Sequence, residues 1–450
     1  MPLRTQTLSL LLLLLAAPFL AIAEPVGERP NILLLCIDTL RADRLSIYGY
    51  ERPTSPVIDA LLGQGVRFLD ARTVEPLTGP ASASLITSRF PHEHGATRNG
   101  LRMRPGMPSL PKLLAARGYA TAAFVGNWSL KDRLTGLGEH FDLYQEVFSR
   151  KRWFGLFNSE ATGEDLTAEV VDWIGEHRRA RPGRPYFVWV QYVEPHAPYR
   201  LWEDLGARLG IDTATAVSKS DRYDTEVAFV DRQLGDLLDR LFGGIRVPDD
   251  TILVFASDHG ESLGDHDYWG HGEFVYDNSL RIPMGLVWNG RVESGVAIAQ
   301  PALIIDLVPT LLGLLGLPSS ERFLGYDWST VLVGGAEAPQ RATYYQAHRG
   351  TVQMDHTSVE ARVGGLLELG RVVGNRKEVL DLRHGTVRIY DLSRDPDELT
   401  DLSSPGETPS AELLAWRREV EKGLQASSDL PPPDLDAESL ARLRALGYLD

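Results

Sequence analysis

Apolar residues in this chain come in two rhythms. Short, nearly unbroken runs at 32–37 (ILLLCI), 120–125 (ATAAFV), 186–193 (YFVWVQYV) and 252–255 (ILVF) lack polar alternation and read as strands buried on both faces. Between them, 57–62, 110–117, 165–179 and 223–242 repeat at helical spacing, the last with Val227, Val230, Leu234, Leu237, Leu238 and Leu241 in one stripe. Residues 66–69 alternate like a half-buried strand, the Pro/Gly turn in 75–88 leads into a helix of small residues, and 309–317 is an apolar helix. Strands alternating with helices predict an α/β fold, a largely parallel central sheet sandwiched by helices. From about residue 342 the rhythm changes to short alternating runs such as 363–369 and 387–391, followed by a helix over 411–424. These predict a small C-terminal α+β subdomain containing an antiparallel sheet.

The ends of the chain add a frame. Arg4, the apolar run LSLLLLLLAAPFLAIA and the small-x-small triplet 21–23 predict a cleaved signal peptide over 1–23, hence an exported protein, periplasmic or extracellular. Interrupted by Pro18, that run is short for a retained span, so no stable membrane anchor is expected after cleavage. The expected division is a catalytic body over 29–335, the C-terminal subdomain over 340–430, and a Pro-rich spacer with a terminal helix over 431–450.

Composition narrows the function. With 46 basic against 61 acidic residues the net charge is −15, which argues against nucleic acid or an anionic membrane surface as the main partner. The one cysteine, Cys36, lies inside a buried strand run; it forbids an intramolecular disulfide and reads as core rather than nucleophile.

Candidate chemistry collects where strands end. The 32–37 run stops at Asp38, the 252–255 run breaks into Asp258, His259 and Gly260, and the 186–193 run leads to His196; Asp265, His266, Asp267 and His271 follow Asp258 closely. Open α/β sheets carry ligands and catalytic groups at strand carboxyl ends. Two carboxylates, an imidazole and the hydroxyl of Thr78, which sits in the turn at 75–88, are an adequate ligand set for one divalent cation that activates the hydroxyl. Read alone, Thr78 is equally a helix cap.

Eight stretches in order then resemble one family, the sulfatase-like hydrolases of the alkaline phosphatase superfamily. They are RPNILLLCIDTLRADRLSIYGY from residue 29, LTGPASASLITSRFPHEHG from 77, YVEPHAPY from 192, SDHGESLGDH from 257, WGHGEFVYDNSLRIP from 269, DLVPTLLGLLG from 306, YDLSRDPDELTDL from 390 and the terminal LRALGYLD. The resemblance implies that Asp38, Thr78, Asp258 and His259 hold the metal and that Thr78 stands at the nucleophile position. It further implies that Asn99 contacts the oxygens of the transferred group, and that His196 and His271 contact the substrate oxyanion or protonate the leaving oxygen.

The chain also departs from the family. Thr78-Gly79-Pro80-Ala81-Ser82 offers neither a Cys or Ser convertible to formylglycine nor the arginine of that motif, so no formylglycine is expected. A threonine here resembles the phosphodiesterase and phosphonate-ester branches, in which the hydroxyl itself attacks. Thr39 replaces a second Asp, and His259 in place of Asn favours Mn²⁺ or Zn²⁺ over Ca²⁺. The expected activity is hydrolysis of a sulfate, phosphate or phosphonate ester on a small molecule or glycan; a non-catalytic protein that binds sulfated or phosphorylated glycans is the alternative. His92, His94 and His266 are expected in structural or supporting places, and Arg41 and Arg98 read equally as partners of substrate charge or as solvated surface arginines.

Overall fold

The computed structural model describes residues 29–148, 150–152, 157–160, 162–319, 322–350 and 365–426. The signal peptide expected at 1–23, the spacer expected at 431–433 and the terminal helix expected at 438–447 lie outside them.

One sheet of eight strands organises the body. In chain order these are β1 (Asn31–Ile37), β2 (Val66–Phe68), β3 (Ala120–Val125), β4 (Leu143–Glu146), β5 (Tyr186–Tyr192), β6 (Thr251–Ser257), β7 (Met284–Val287) and β8 (Val296–Ile298). Across the sheet they run β8-β2-β7-β6-β1-β5-β3-β4. The strands from β6 to β4 in that order are parallel, and β7 is antiparallel to both its neighbours.

The unbroken apolar runs follow from two-sided burial. Along β1, Ile32, Leu34 and Cys36 enter one core and Leu33, Leu35 and Ile37 the other, because successive side chains point to opposite faces. The second core is closed by α1 (Pro56–Leu62), α4 (Gly163–Ala180) and α5 (Lys219–Phe242). The first is closed by α2 (Thr78–Thr87), α3 (Leu110–Ala115) and α6 (Leu307–Leu314), and by the C-terminal elements. Cys36 is fully buried, and burial pushes its thiol pKa well up, as suits a core residue.

The C-terminal elements are an antiparallel sheet of β9 (Thr343–His348), β10 (Leu366–Val373), β11 (Arg376–Asp381) and β12 (Thr386–Asp391), with α7 (Ala411–Gln425). A buried charge network joins this sheet to the body. Arg72 donates through Nε and Nη2 to the Asp277 carboxylate at 3.0 and 2.6 Å, and Lys377 Nζ on β11 reaches Asp277 and Glu398 at 2.8 Å each. The two cations hold the Asp277 carboxyl well below its ordinary range despite burial. Lys377→Met is therefore expected to destabilise the fold by about 3–5 kcal/mol, because two buried carboxylates lose their shared cation. Chemical denaturation checks this, and an unchanged midpoint would show that the network contributes nothing to docking the sheet.

Candidate active site

The parallel register decides where the chemistry meets. Ile37 pairs with Ser257 and with Tyr192, so β1, β6 and β5 end level with one another. Asp38 and Asp258 leave the sheet side by side, and the N–H of Asp38 is tied to the Tyr192 carbonyl at 3.0 Å.

Asp38, Asp258 and His259 are fully buried, and one ligand atom from each lies within 4.8 Å of the others. His259 Nε2 stands 3.7 Å from Asp38 Oδ1 and 3.8 Å from Asp258 Oδ2. These separations are too long for hydrogen bonds and suit atoms that share a cation roughly 2.0–2.6 Å from each. The other ring nitrogen, Nδ1, lies 2.8 Å from the Gly260 carbonyl. That nitrogen donates, which leaves the Nε2 lone pair facing the carboxylates.

Electrostatics agree with a cation. Burial pushes the Asp258 carboxyl up to about 7, although the backbone N–H groups of His259 and Thr39 donate to its Oδ1 at 2.8 and 3.2 Å. Burial, with His271 and His196 nearby, holds His259 well below its ordinary value, so its ring is neutral. Two enclosed carboxylates and a neutral imidazole are the donor set that a divalent ion neutralises. Such an ion, when bound, supplies Lewis-acid polarisation and lowers the pKa of an oxygen it touches.

Thr78 opens α2, but Leu77 occupies the N-cap and no side chain caps the helix. The Thr78 hydroxyl instead lies 3.2 Å from His259 Nε2, at the edge of the ligand group. Asn99 reaches the same spot: its Oδ1 accepts the Gly79 N–H at 2.8 Å, and a Cβ on Gly79 would sit 2.9 Å from that oxygen, so a larger residue there would displace the Asn99 side chain. Asn99 Nδ2 is buried with no hydrogen-bond partner among the described residues. It is a donor left for a ligand.

His271 Nδ1 pairs with Glu261 Oε1 at 2.9 Å, and its ring centre lies 4.4 Å from that of His259 and 5.3 Å from that of His196. His196 bonds the Ala197 carbonyl through Nδ1 at 2.7 Å. The structure thus brings together the seven residues assigned site roles from the sequence: Asp38, Thr78, Asn99, His196, Asp258, His259 and His271.

Three supporting residues were not legible. The Asn127 side chain donates to Asp38, the Gln191 amide donates to Asp258 Oδ2 at 3.3 Å, and Glu261 orients His271. A glutamine inside the apolar run YFVWVQYV was the available signal for Gln191, and Asn127 lies two residues past the end of β3. The surface reading of Arg41 and Arg98 is corrected: both are buried. Arg41 is held by Asp43 and Asp265 at 2.6 and 2.8 Å and donates to the Glu261 carbonyl at 3.0 Å, so it braces the loop that carries Glu261. His92 and His94 are structural as expected, bonded to Gln346 and Ser84 at 2.9 Å each.

A family model described as Sulfatase matches residues 30–317, more than half of the chain. The chain belongs to the sulfatase family. A second model, N-sulphoglucosamine sulphohydrolase, C-terminal, matches residues 264–414. Among curated relatives, the N-acetylgalactosamine-6-sulfatase of Canis lupus familiaris is 29% identical over 391 residues, covering 75% of this chain and 72% of the relative. The N-acetylglucosamine-6-O-sulfatase of Bacteroides thetaiotaomicron is 24% identical over 519 residues, covering 92% and 91%. The phosphonate monoester hydrolase of Agrobacterium radiobacter superposes with a TM-score of 0.66 at 22% identity, covering 94% of this chain and 96% of that one, and shares the fold. This sulfatase-family chain is an ester hydrolase. The family works with a divalent metal ion, and the Asp38, Asp258 and His259 group can hold one.

Proposed function

We propose that the protein is an exported, metal-dependent hydrolase that cleaves a sulfate, phosphate or phosphonate ester through the Thr78 hydroxyl. The observation that carries the reading is the Thr78 Oγ1 position, 3.2 Å from His259 Nε2 at the rim of the buried ligand group. Asp38, Asp258 and His259 hold one divalent ion, with Mn²⁺ or Zn²⁺ suiting the imidazole better than Ca²⁺. Asn99 Nδ2 binds an oxygen of the substrate group and holds it against the start of α2. Thr78 Oγ1 attacks the sulfur or phosphorus as its proton passes to water. As the bond to the leaving oxygen breaks, His196 or His271 donates a proton there, with Glu261 fixing the ring of His271. Water then cleaves the ester on Thr78 and regenerates the hydroxyl.

The names of the relatives support a choice of substrate class. Two carry names of 6-sulfated N-acetylhexosamines and one neighbour that of phosphonate monoesters, so a glycan sulfate ester and a phosphonate or phosphate ester head the candidates. The test is turnover of N-acetylglucosamine 6-sulfate, an aryl sulfate, an aryl phosphodiester and an aryl phosphonate monoester, each with Mn²⁺, Zn²⁺ or Ca²⁺. Turnover that stops with chelator is expected on at least one. Cation and sulfated-sugar binding without turnover of any ester would show a non-catalytic glycan-binding protein instead.

A further inference from the structure

The segment that carries His271 also carries a surface pair the proposed chemistry has not used. Ser262–Leu263 and Trp269–Gly270 form a two-stranded antiparallel ribbon, in which Ser262 faces Gly270 and Leu263 faces Trp269. Next to the Ser262 and Gly270 pair, Glu261 and His271 are joined through their side chains at 2.9 Å, and the Tyr268 hydroxyl donates to the His271 carbonyl at 2.9 Å. Trp269 therefore rises from backbone tied to the site. Two residues separate it from His271, a span of about 7 Å at most.

Trp269 is 47% exposed, and it is the aromatic one among the large apolar side chains exposed in the described residues. A Cβ on Gly264 would stand 2.8 Å from the indole, so the ring lies against that backbone. Lys219 Nζ stands over the same ring, 4.5 Å from its centroid. Lys219 is exposed and has no carboxylate partner among the described residues. It also opens α5, where the partial positive charge of a helix N-terminus disfavours a cation. An exposed indole and an unfavourably placed ammonium thus meet beside the site, and local departures of this kind collect where a protein binds something.

The neighbours of Lys219 border open space. Ser218 and Ser220 line a cleft of about 580 Å³ with Tyr48, Tyr50 and Arg52, a volume within the range of ligand sites. Arg52 is already paired with Asp221 and Asp224 at 2.6 and 2.7 Å, which leaves Lys219 as the unpaired cation at that edge.

We infer that Trp269 and Lys219 bind a second, anionic sugar residue of an oligosaccharide substrate, beyond the sugar that carries the scissile ester. The inference rests on the glycan-ester reading given above. In that reading the leaving oxygen takes its proton from His196 or His271, so the released glycan lies on the side where the His271 segment reaches the surface. A pyranose ring lays its C–H face on the indole, and Lys219 Nζ pairs with a sulfate or carboxylate that the ring carries. In a chain of net charge −15, an unpaired ammonium supplies the local charge such a group needs.

Calorimetric titration of two ligands into Mn²⁺-loaded Thr78→Ala protein, in which turnover is expected to stop, tests this. The ligands are N-acetylglucosamine 6-sulfate and a tetrasaccharide of alternating galactose and N-acetylglucosamine, 6-sulfated on every sugar. The tetrasaccharide is expected to bind at least about tenfold more tightly than the monosaccharide. Adding Trp269→Ala should remove about tenfold of the tetrasaccharide affinity, whereas Trp269→Phe should keep it within roughly threefold. Lys219→Gln should cost the tetrasaccharide about threefold. Monosaccharide affinity should stay the same in all three. Unchanged tetrasaccharide affinity in Trp269→Ala, or equal losses for the two ligands, overturns the inference, and monosaccharide binding then leaves the site reading intact. Binding of neither ligand to Thr78→Ala overturns both.

Discussion

Thr78→Ala is expected to lower kcat/KM on the order of 10⁴-fold or more for whichever ester wild type cleaves, the scale seen when a nucleophile acting in concert with its partners is removed. The fold should survive. Thr78 is buried at the first position of α2, but Leu77 holds the N-cap and no capping bond is lost, and alanine is the best helix former. Thr78→Ser, which keeps an oxygen on a slimmer side chain, should retain measurable turnover. Steady-state kinetics beside thermal unfolding separates the outcomes. Thr78→Ala within about tenfold of wild type would require another nucleophile, and the mechanism proposed here would be wrong.

The second large effect is expected from Asp258→Asn. An amide cannot supply the negative oxygen that a hard or borderline cation prefers, so turnover should fall by roughly 10³-fold or more and stabilisation by added cation should vanish. In wild type, Mn²⁺ at about 100 times its Kd should add about 2.7 kcal/mol, roughly 3 °C for a chain of this length.

The cation-free proteins carry a further signature. Burial raises the Asp258 carboxyl to about 7, above its unfolded value, so the native state holds that proton more tightly than the unfolded chain. Its contribution favours folding below the unfolded pKa and is lost as pH rises from about 4 through 7. Asp231 and Glu398, also raised to about 7 by burial, act in the same direction in both proteins. Chelated wild type should therefore lose more stability between pH 5 and pH 8 than chelated Asp258→Asn, by on the order of a few kcal/mol. Denaturant melts at the two pH values read the difference, and parallel curves would show that Asp258 is not the strained acid its burial implies.

The parallel centre of the fold was legible because β1, β3, β5 and β6 are buried on both faces and so are written as apolar runs. Strand β7 was not, since four residues with a glycine, Met284–Val287, carry too little pattern to separate from a loop. Strands β4 and β8 lie at the sheet edges, where one-sided pairing leaves a weaker signature. In the site, Asp38, Asp258 and His259 could be found because each follows a strong strand and strand ends collect chemistry. Asn127 and Gln191 could not, because an amide that steadies a carboxylate leaves no motif, only a polar residue in or near an apolar run.

Arg41 shows the limit most plainly. Its charge suggested solvent or substrate; it is instead consumed inside the fold, by Asp43 two residues on and by Asp265, 224 residues away in sequence. Long-range pairing of this kind is a property of topology, and no local pattern encodes it.

In the proposed mechanism Asp38, Asp258 and His259 surround one cation that also touches the Thr78 oxygen. Anomalous scattering from crystals grown with Mn²⁺ tests it directly. A single strong peak is expected roughly 2.0–2.6 Å from the three side chains and from Thr78 Oγ1. A site without density at saturating Mn²⁺, or a peak bound elsewhere with Thr78 Oγ1 outside its coordination shell, would contradict it.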